Sequence, residues 1–303
     1  MLKTRRWLRR SGFHLLKTAA RLAALGGPDR VRRLGEAFGT MHYRLGRGKR
    51  LRLLQQMARV LPERAAVGAL PADLREAYRI NDRAILEILA AYSGALQPGQ
   101  VAEMCALDGI DVLDRCLAQG RGAVLLGMHM GNGVAMAIHL AQRGYPVNVV
   151  YRESNKISPK FFARGIRRQG LVAIPARPAA AGFRRMLKAL KGGEIVFILM
   201  DQASKSGGVP VRFLGKNMDM PPGPAELARR TGAPVIPVLL RGADERWRFR
   251  LGEAIRLDLA RPLDQEVKIL ARAMEAHILA YPQWWTWHQR RWHRHPFSPP
   301  TGN

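Results

Sequence analysis

The sequence predicts an α/β fold: a mostly parallel or mixed sheet flanked by helices, with an N-terminal helical extension. From Gly120 onward, short apolar runs alternate with longer stretches of helical character, which is the rhythm of strands and crossover helices. Before Gly120, apolar residues recur at helical spacing instead. With 303 residues, 47% of them hydrophobic, the chain is long enough to bury a sizeable core.

Residues 1–50 predict basic amphipathic helices at a membrane interface. The first 52 residues contain fifteen Lys or Arg but only two acids, Asp29 and Glu36. Such a helix can lie among lipid headgroups with its apolar side chains down and its basic side chains toward phosphates. The alternative is a helix that packs on its own domain and exposes a solvated basic face. The apolar residues are Trp7, Leu8, Phe13, Leu15, Leu16, Ala19, Leu22 and Leu25.

Residues 51–120 predict a further helical region. Leucine, isoleucine, methionine and valine recur there at helical spacing, with breaks near Pro62, Pro71 and Pro98. Residues 121–303 then form the α/β core, and we expect residues 50–303 to fold as one compact domain. Cys105 and Cys116 lie in this helical region; two buried free thiols are favoured over one disulfide, and no metal site follows from them.

The charge of the chain predicts an anionic partner. Fifty Lys and Arg against 23 Asp and Glu leave a formal net charge of +27. An anionic membrane surface and nucleic acid both suit this charge, but no nucleic-acid-binding motif accompanies it, so nucleic acid is not expected. No apolar run approaches the roughly 18 residues of a membrane span, and no secretory signal opens the chain. We therefore expect a protein on the cytoplasmic side.

Four polar residues follow the apolar runs of the predicted sheet. In open α/β sheets, ligands bind outside the carboxyl ends of the strands, so these side chains should share one edge. They supply a base, a carboxylate and two guanidinium groups, which suits an anionic substrate with a hydroxyl to deprotonate. The runs are residues 123–128, 147–151, 172–175, 195–200 and 235–240, and the polar residues are His129, Arg152, Asp201 and Arg241.

The order of several motifs resembles the lipid A late acyltransferase (lauroyl/myristoyl transferase) family of the lysophospholipid acyltransferase superfamily. The resemblance covers residues 120–292 and extends more loosely into the basic N-terminal helices. Its most specific part is the C-terminal run of Trp, His and Arg. The matching stretches are residues 129–134, 150–152 with Asn155, the arginines around Gly165, and residues 190–194, 201–202, 209–215, 227–237 and 282–292.

This resemblance implies transfer of a fatty acyl group from an acyl-carrier-protein or coenzyme A thioester to a hydroxyl of a membrane glycolipid. The thioester is a co-substrate, and no further cofactor or metal is implied. The expected location is the cytoplasmic face of the inner membrane, as a peripheral or monotopic protein. The family motif is His, four residues, then Asp or Glu. His129 corresponds to the general base, but the acid position is Val134.

Three interpretations of Val134 remain open from the sequence. Another carboxylate can replace the motif acid, with Asp201 the first candidate and Glu153 the second. His129 can act alone at a reduced rate, because loss of the orienting acid leaves other contributions to catalysis in place. Finally, the chain can be an inactive lipid-binding or scaffold homologue.

The remaining matched residues are candidates for substrate binding. Arg152 suits a phosphate of the acceptor or donor, and Arg168 is the preferred match among three neighbouring arginines. Asn132 belongs to a turn that allows close approach of backbone to substrate, or it only builds that turn. Arg212 belongs to a segment that shapes the cleft in relatives, or to an ordinary strand pair with Gly215 in its turn.

The C-terminal tryptophans admit several roles. They can stack bases, sit at a membrane interface, or pack the C-terminus onto the core. Packing combined with an interfacial position is favoured over direct contact with a ligand. The residues are Trp284, Trp285, Trp287 and Trp292.

Overall fold

The computed structural model describes residues 2–152, 159–204 and 207–297, with the side chains of these residues apart from 2–11, 159, 290 and 291. The helices are α1 (Leu2–Ala24), α2 (Pro28–Leu45), α3 (Arg47–Val60), α4 (Pro62–Ala66), α5 (Leu70–Tyr92), α6 (Pro98–Glu103), α7 (Ile110–Leu117), α8 (Gly133–Gln142), α9 (Pro159–Arg168), α10 (Ala179–Lys191), α11 (Gly223–Thr231), α12 (Leu263–Ala280) and α13 (Arg290–His293). A 3-10 helix covers Pro282–Trp284.

The strands are β1 (Cys105–Asp108), β2 (Ala123–Gly127), β3 (Val147–Tyr151), β4 (Val172–Pro175), β5 (Ile195–Leu199), β6 (Val209–Phe213), β7 (Lys216–Met220), β8 (Val235–Ala243) and β9 (Trp247–Leu251). In the described part of the chain, seven of them form one sheet in the order β1-β9-β8-β2-β5-β3-β4. Neighbours from β8 to β4 run parallel, while β9 is antiparallel to β8. The predicted fold class is therefore confirmed.

The centre of the sheet is β2, whose five residues are all buried. A strand covered by helices on both faces reads as a continuous apolar run, and this is why the sequence pattern located it. β2 lies between β8 and β5 and is parallel to both. Its carboxyl end, followed directly by His129, therefore opens at the middle of the edge where parallel strands end.

Two strands at the other side of the sheet were missed by the sequence analysis. β1 falls inside the region predicted to be helical, and it contains Cys105, whereas Cys116 lies in α7. A four-residue strand between two helices carries too short a pattern to separate from them. β9 alternates buried and exposed residues, and its sequence shows the matching alternation of apolar residues with arginines, a pattern that is typical of a strand. Both cysteines are buried free thiols, as expected.

The N-terminal helix α1 is partly packed and partly exposed among the side chains described from Gly12 onward. Ala20 and Ala23 are buried, while Leu15, Leu22 and Leu25 are 71%, 61% and 84% exposed. Trp7 and Leu8, which the interfacial prediction also used, lie outside the described side chains. In the described residues, no helix is both long enough and apolar enough to cross a bilayer.

Helix α5 runs beneath α2 at very short range. A Cβ added to Gly39 would lie 2.5 Å from the Arg79 Cα, and one added to Gly35 would lie 2.6 Å from the Arg83 Cα. The two backbones approach this closely only because glycine has a hydrogen atom where every other residue carries a Cβ. The pair of glycines thus fixes the distance between the N-terminal helices and α5.

Gly39→Ala is expected to lower the free energy of unfolding by about 1–3 kcal/mol, because the new methyl group overlaps the α5 backbone. Gly48→Ala in α3 is the matched control, since a Cβ there meets nothing within 4 Å. Urea unfolding of both variants checks the prediction. Equal stability of Gly39→Ala and Gly48→Ala would show that the contact between α2 and α5 is loose.

Candidate active site

The register of the sheet brings His129 and Asp201 side by side. Gly127 of β2 pairs with Leu199 of β5 in a parallel ladder. His129 and Asp201 each follow two residues later, so both chains leave the sheet at the same level. Parallel pairing keeps equal steps along both strands, and this is the physical reason that two residues 72 positions apart meet.

The His129 imidazole and the Asp201 carboxylate form a close pair. Nδ1 of His129 lies 2.6 Å from Oδ1 of Asp201, and the backbone N–H of His129 donates to Oδ2 at 2.8 Å. Asp201 is fully buried, while the His129 side chain is 35% exposed. The carboxylate therefore fixes the ring from its buried side, while part of the ring remains exposed to solvent.

The second ring nitrogen of His129 is in contact with Gln202. The side-chain Nε2 of Gln202 lies 3.0 Å from Nε2 of His129. An ionised carboxylate only accepts hydrogen bonds, so Nδ1 carries the ring proton and Nε2 is free to accept one. The arrangement thus presents the basic nitrogen outward, which is the tautomer that a general base for a hydroxyl requires.

Asp201 is held in its ionised form despite its burial. Burial alone would raise the pKa of Asp201, but the charge of His129, the hydrogen bonds from its ring and backbone, and the Trp285 indole together hold the pKa below its ordinary value of 3.8. The Trp285 Nε1–H donates to Oδ2 at 2.8 Å. Three donors therefore compensate the buried charge.

An apolar cavity of about 150 Å³ opens beside His129. Val134 is part of its wall. Two rim residues, Ile85 and Leu199, are 41% and 37% exposed, which leaves apolar surface uncovered at the mouth. The lining residues are Asn81, Ala84, Ile85, Ile88, Met128, His129, Gly131, Gly133, Val134, Phe197, Leu199 and Thr286.

Asn132, three residues after His129, is buried. Its Oδ1 accepts from the N–H of Ala135 at 3.0 Å and so caps α8, and its amide donates to Oε2 of Glu87 at 3.0 Å. The side chain therefore builds the turn and caps α8, and close approach of the backbone to a substrate stays a prediction. Burial raises the pKa of Glu87, while Arg83, Asn132 and Trp247 oppose that rise by hydrogen bonds and charge.

The three predicted arginines lie at different distances from the pair. Arg152 follows β3 and is exposed at the same sheet edge as Asp201. Arg168 donates to the carbonyl of Tyr92 at 3.0 Å and precedes β4, whose first residues pair with the start of β3. It is therefore directed toward the opposite edge, away from His129. Arg212 is exposed in the β6–β7 hairpin, which confirms the strand pair.

The other two candidates from the sequence analysis are placed as follows. Arg241 lies inside β8 rather than at its end, with its guanidinium 5.1 Å from the centre of the Tyr281 ring. Glu153, the second candidate for a replacement acid, lies outside the described residues.

Comparison with known proteins gives the family. A model of the family described as bacterial lipid A biosynthesis acyltransferase matches residues 1–294. The chain belongs to this acyltransferase family. It is 27% identical to a phosphatidylinositol mannoside acyltransferase of Mycolicibacterium smegmatis over 240 residues, 75% of this chain and 76% of the relative. It is 28% identical to a protein of the same name from Mycobacterium tuberculosis over 191 residues, 61% of this chain and 59% of the relative.

Three residues of this acyltransferase site were not singled out from the sequence. Trp285 and Thr286 were recognised only as part of the C-terminal run, and Gln202 only as part of a matching pair. Their partners lie 73 to 157 residues away along the chain. A local sequence pattern cannot predict contacts between residues so far apart in the chain. The apolar run before Asp201 does, however, predict that Gln202 lies near the same edge of the sheet.

Replacing the buried carboxylate should change the stability of the acyltransferase in a pH-dependent way. Asp201→Asn is expected to lower the free energy of unfolding by about 1–3 kcal/mol at pH 5, because the charged hydrogen bonds to His129 and Trp285 are weakened. Because the pKa of Asp201 is lower in the folded protein than its ordinary value of 3.8, the ionised carboxylate stabilises the folded state at pH values above 3.8. The difference in unfolding free energy between Asp201→Asn and wild type should therefore shrink as the pH falls through 3.8 toward the lower folded pKa.

Urea unfolding at several pH values between about 5 and 2 measures this difference. Asp108→Asn, at an exposed acid that ends β1, controls for the loss of a surface carboxylate. A difference between Asp201→Asn and wild type that is independent of pH would contradict the assignment of an ionised Asp201.

Proposed function

We propose that this chain transfers a fatty acyl group from a thioester to a hydroxyl of a membrane glycolipid, with His129 as general base and Asp201 as its orienting carboxylate. The observation that carries the proposal is the 2.6 Å contact between His129 Nδ1 and Asp201 Oδ1. Membership in the acyltransferase family and similarity to phosphatidylinositol mannoside acyltransferases support a glycolipid as acceptor.

In the first step, the acceptor hydroxyl displaces the Gln202 amide from Nε2 of His129, and Nε2 takes the hydroxyl proton while the hydroxyl oxygen attacks the thioester carbonyl. Asp201 stabilises the imidazolium that forms and keeps the ring in place. The tetrahedral intermediate then collapses, its C–S bond breaks, and the imidazolium returns the proton to the departing thiolate. The products are an ester on the lipid and a free thiol, and the histidine is regenerated.

The cavity beside His129 is proposed as the site of the acyl group next to the thioester carbonyl. An apolar cavity of about 150 Å³ admits a molecule the size of benzene, so this space suits the first carbons of a fatty chain. Ile85 and Leu199 at its rim continue the apolar surface outward. Burying them under an acyl chain removes exposed apolar area from water, which favours binding.

Under this proposal, Val134 is part of the apolar cavity wall, and the absence of a carboxylate at this position does not remove the orienting acid. The orienting role is supplied from β5 by Asp201, so position 134 is free to line the cavity. A carboxylate at 134 would face Phe197 and Ile88 across the same cavity and would carry a desolvation cost. Of the three interpretations left open by the sequence, replacement by Asp201 is the one that the geometry favours.

The donor is proposed to be an acyl-carrier-protein or coenzyme A thioester, and the acceptor an anionic lipid. Exposed Arg152 lies at the edge of the sheet where His129 and Asp201 emerge, so its guanidinium is suited to a phosphate of either substrate. The net charge of +27 favours approach of acidic partners. Both donors are soluble components of the cytoplasm, so we place the protein on the cytoplasmic face of the inner membrane.

Helix α1 is proposed as the membrane-facing element. Leu15 and Leu22 on this helix and Leu25 in the turn that follows it leave a large apolar area exposed, and Arg21 is exposed beside them. A helix that lies in the membrane interface places its leucines below the lipid headgroups and its arginines at the level of the phosphates. The opposite side of α1 packs on the protein, since Phe13 contacts Phe161 at 5.4 Å between ring centres.

An acyl-transfer assay with a labelled thioester and membrane lipids tests the catalytic part. His129→Ala should abolish turnover, and Asp201→Asn should lower kcat by roughly 10³- to 10⁴-fold, because the ring loses its orienting acid. Val134→Glu should lower activity as well, since it places a carboxylate in the apolar cavity. Asp111→Asn is the control and should match wild type.

Two outcomes would contradict this proposal. Full activity of His129→Ala would remove the general base. A gain of activity in Val134→Glu would show that position 134, and not Asp201, is where the orienting acid is needed.

Vesicle sedimentation tests the membrane part. Replacing both Leu15 and Leu22 by Ser should weaken binding to anionic vesicles at least tenfold, because each buried leucine contributes about 1.5–3 kcal/mol. Leu259→Ser is the matched control: Leu259 is 65% exposed but lies beside Arg121 and Pro234, which precede β2 and β8 at the opposite edge of the sheet.

Deletion of residues 1–26 should release the protein from the same vesicles. Unchanged binding of the deleted protein would reject α1 as the membrane-facing element.

A further inference from the structure

The segment of residues 285–292, called the C-terminal segment below, contacts both members of the catalytic pair. The Trp285 Nε1–H donates to Oδ2 of Asp201 at 2.8 Å. The Thr286 hydroxyl and backbone N–H both donate to the carbonyl of His129, at 3.0 and 3.2 Å. Met130 forms an isolated antiparallel bridge with Trp285. One short segment therefore holds the carboxylate by a side chain and the histidine by its backbone.

Trp285 is fixed within a cluster of buried aromatic rings. Its ring centre lies 5.0 Å from that of Trp287 and 5.6 Å from that of Trp292, with both pairs close to edge-to-face. All three indoles are fully buried. Phe213 of the β6–β7 hairpin closes a further side at 6.3 Å. Such a cluster leaves the Trp285 indole little freedom to rotate away from Asp201.

The far end of the C-terminal segment is tied to the protein by a buried lysine. Lys216 donates to the carbonyl of Trp292 at 3.3 Å and to Oε1 of Gln56 at 3.1 Å. Gln56 in turn donates to the carbonyl of His293 at 3.0 Å. The Lys216 ammonium also lies 4.0 Å from the centre of the Trp292 ring, a favourable cation–π contact. The cluster is therefore anchored on α3 and β7.

Packing alone does not explain the direction of the Trp285 indole. Trp287 is equally buried in the same cluster, and its N–H donates to the carbonyl of Pro282 at 2.7 Å. Trp292 is packed there as well, and its N–H has no hydrogen-bond partner in the described part of the chain. Only Trp285 of these three aims its N–H at a group of the catalytic pair.

We propose that Trp285 and Thr286 are positioning residues for acyl transfer: Trp285 holds the Asp201 carboxylate behind the imidazole, and Thr286 holds the His129 backbone at the mouth of the cavity. The proposal rests on the function proposed above for His129 and Asp201. It assigns the C-terminal segment a role in the reaction besides filling the core. Misplacement of a catalytic group by about 1 Å costs on the order of 100-fold in rate, so the constraint has kinetic consequences.

The hydrogen bond from Trp285 affects the pKa of Asp201. In the described residues, its carboxylate is contacted by the ring and backbone N–H of His129 and by the indole of Trp285. A donor to the ionised form favours that form, so removal of the indole should raise the pKa of Asp201. The Trp287 indole does not touch Asp201, and its removal should leave that pKa unchanged.

The experiment compares Trp285→Phe with Trp287→Phe in the full-length protein. Both changes remove one buried indole N–H from the same cluster, so a purely structural effect appears in both. Trp285→Phe is expected to lower kcat roughly 10- to 100-fold at unchanged KM, and to raise the Asp201 pKa measured by carbon NMR of labelled aspartate. Trp287→Phe should do neither.

Thr286→Val and Thr286→Ser provide a second comparison that does not disturb the cluster. Thr286→Val should lower kcat, and Thr286→Ser, which keeps the hydroxyl, should restore it. Identical kinetics and identical Asp201 titration in Trp285→Phe and Trp287→Phe would overturn the proposal for Trp285. Equal activity of Thr286→Val and Thr286→Ser would overturn it for Thr286.

The NMR titration separates this proposal from the proposed function. It needs no turnover, so it reports on the Trp285 contact even if no lipid acceptor is acylated by the wild-type protein. An unshifted Asp201 pKa in Trp285→Phe overturns the positioning role independently of any assay, whereas loss of acyl transfer in wild type alone would count against the function proposed for the pair.

Discussion

The rest of the site depends on one constraint: a fully buried carboxylate, Asp201, must be compensated by donors from the protein. A lone charge in such a place would be neutralised by a rise in its pKa. Here three separate parts of the chain prevent that rise. The end of β5 supplies the carboxylate, the end of β2 supplies the backbone and ring of His129, and the C-terminal segment supplies Trp285. The proposed catalytic pair is thus also the junction at which the sheet and the C-terminal segment are joined.

Because Asp201 lies behind the imidazole, the two edges of His129 face different surroundings. Nδ1 meets the buried carboxylate of Asp201, whereas Nε2 lies against the Gln202 amide, and His129 also lines an apolar cavity with Val134 in its wall. A base next to an apolar surface suits a reaction that joins a hydroxyl to a fatty acyl carbonyl, since the chain is sheltered while the proton moves. Under the proposed function, Val134 as part of the apolar wall and Asp201 as the carboxylate beside His129 therefore belong to one arrangement.

The sequence was most informative where parallel strands carry the site, because a buried parallel strand is a continuous apolar run whose end is visible. His129, Arg152 and Asp201 were found in this way, and the register of β2 and β5 explains why equal steps past the runs coincide. Contacts that cross the fold were not readable. Glu87 accepts hydrogen bonds from Asn132, which follows His129, and from the Trp247 indole, 160 residues away, yet in the sequence it is only one acid on an apolar helix face. Arg168 was chosen by spacing, and spacing does not show that α9 carries it toward the opposite edge.

Helix α5 connects the site to the N-terminal helices. Ala84, Ile85 and Ile88 line the cavity, Glu87 bonds Asn132 beneath the catalytic loop, and Arg83 lies against Gly35 of α2. A single helix therefore forms part of the cavity wall, supports the loop and packs against both α2 and α1, the helix proposed to contact the bilayer. Since close backbone packing transmits displacement with little slack, a bilayer that holds α1, as proposed, would also fix the position of α5 and of the cavity relative to the lipid headgroups. Under that proposal, a lipid hydroxyl would reach His129 without leaving the interface, and the fatty product would be released where its chain is already soluble.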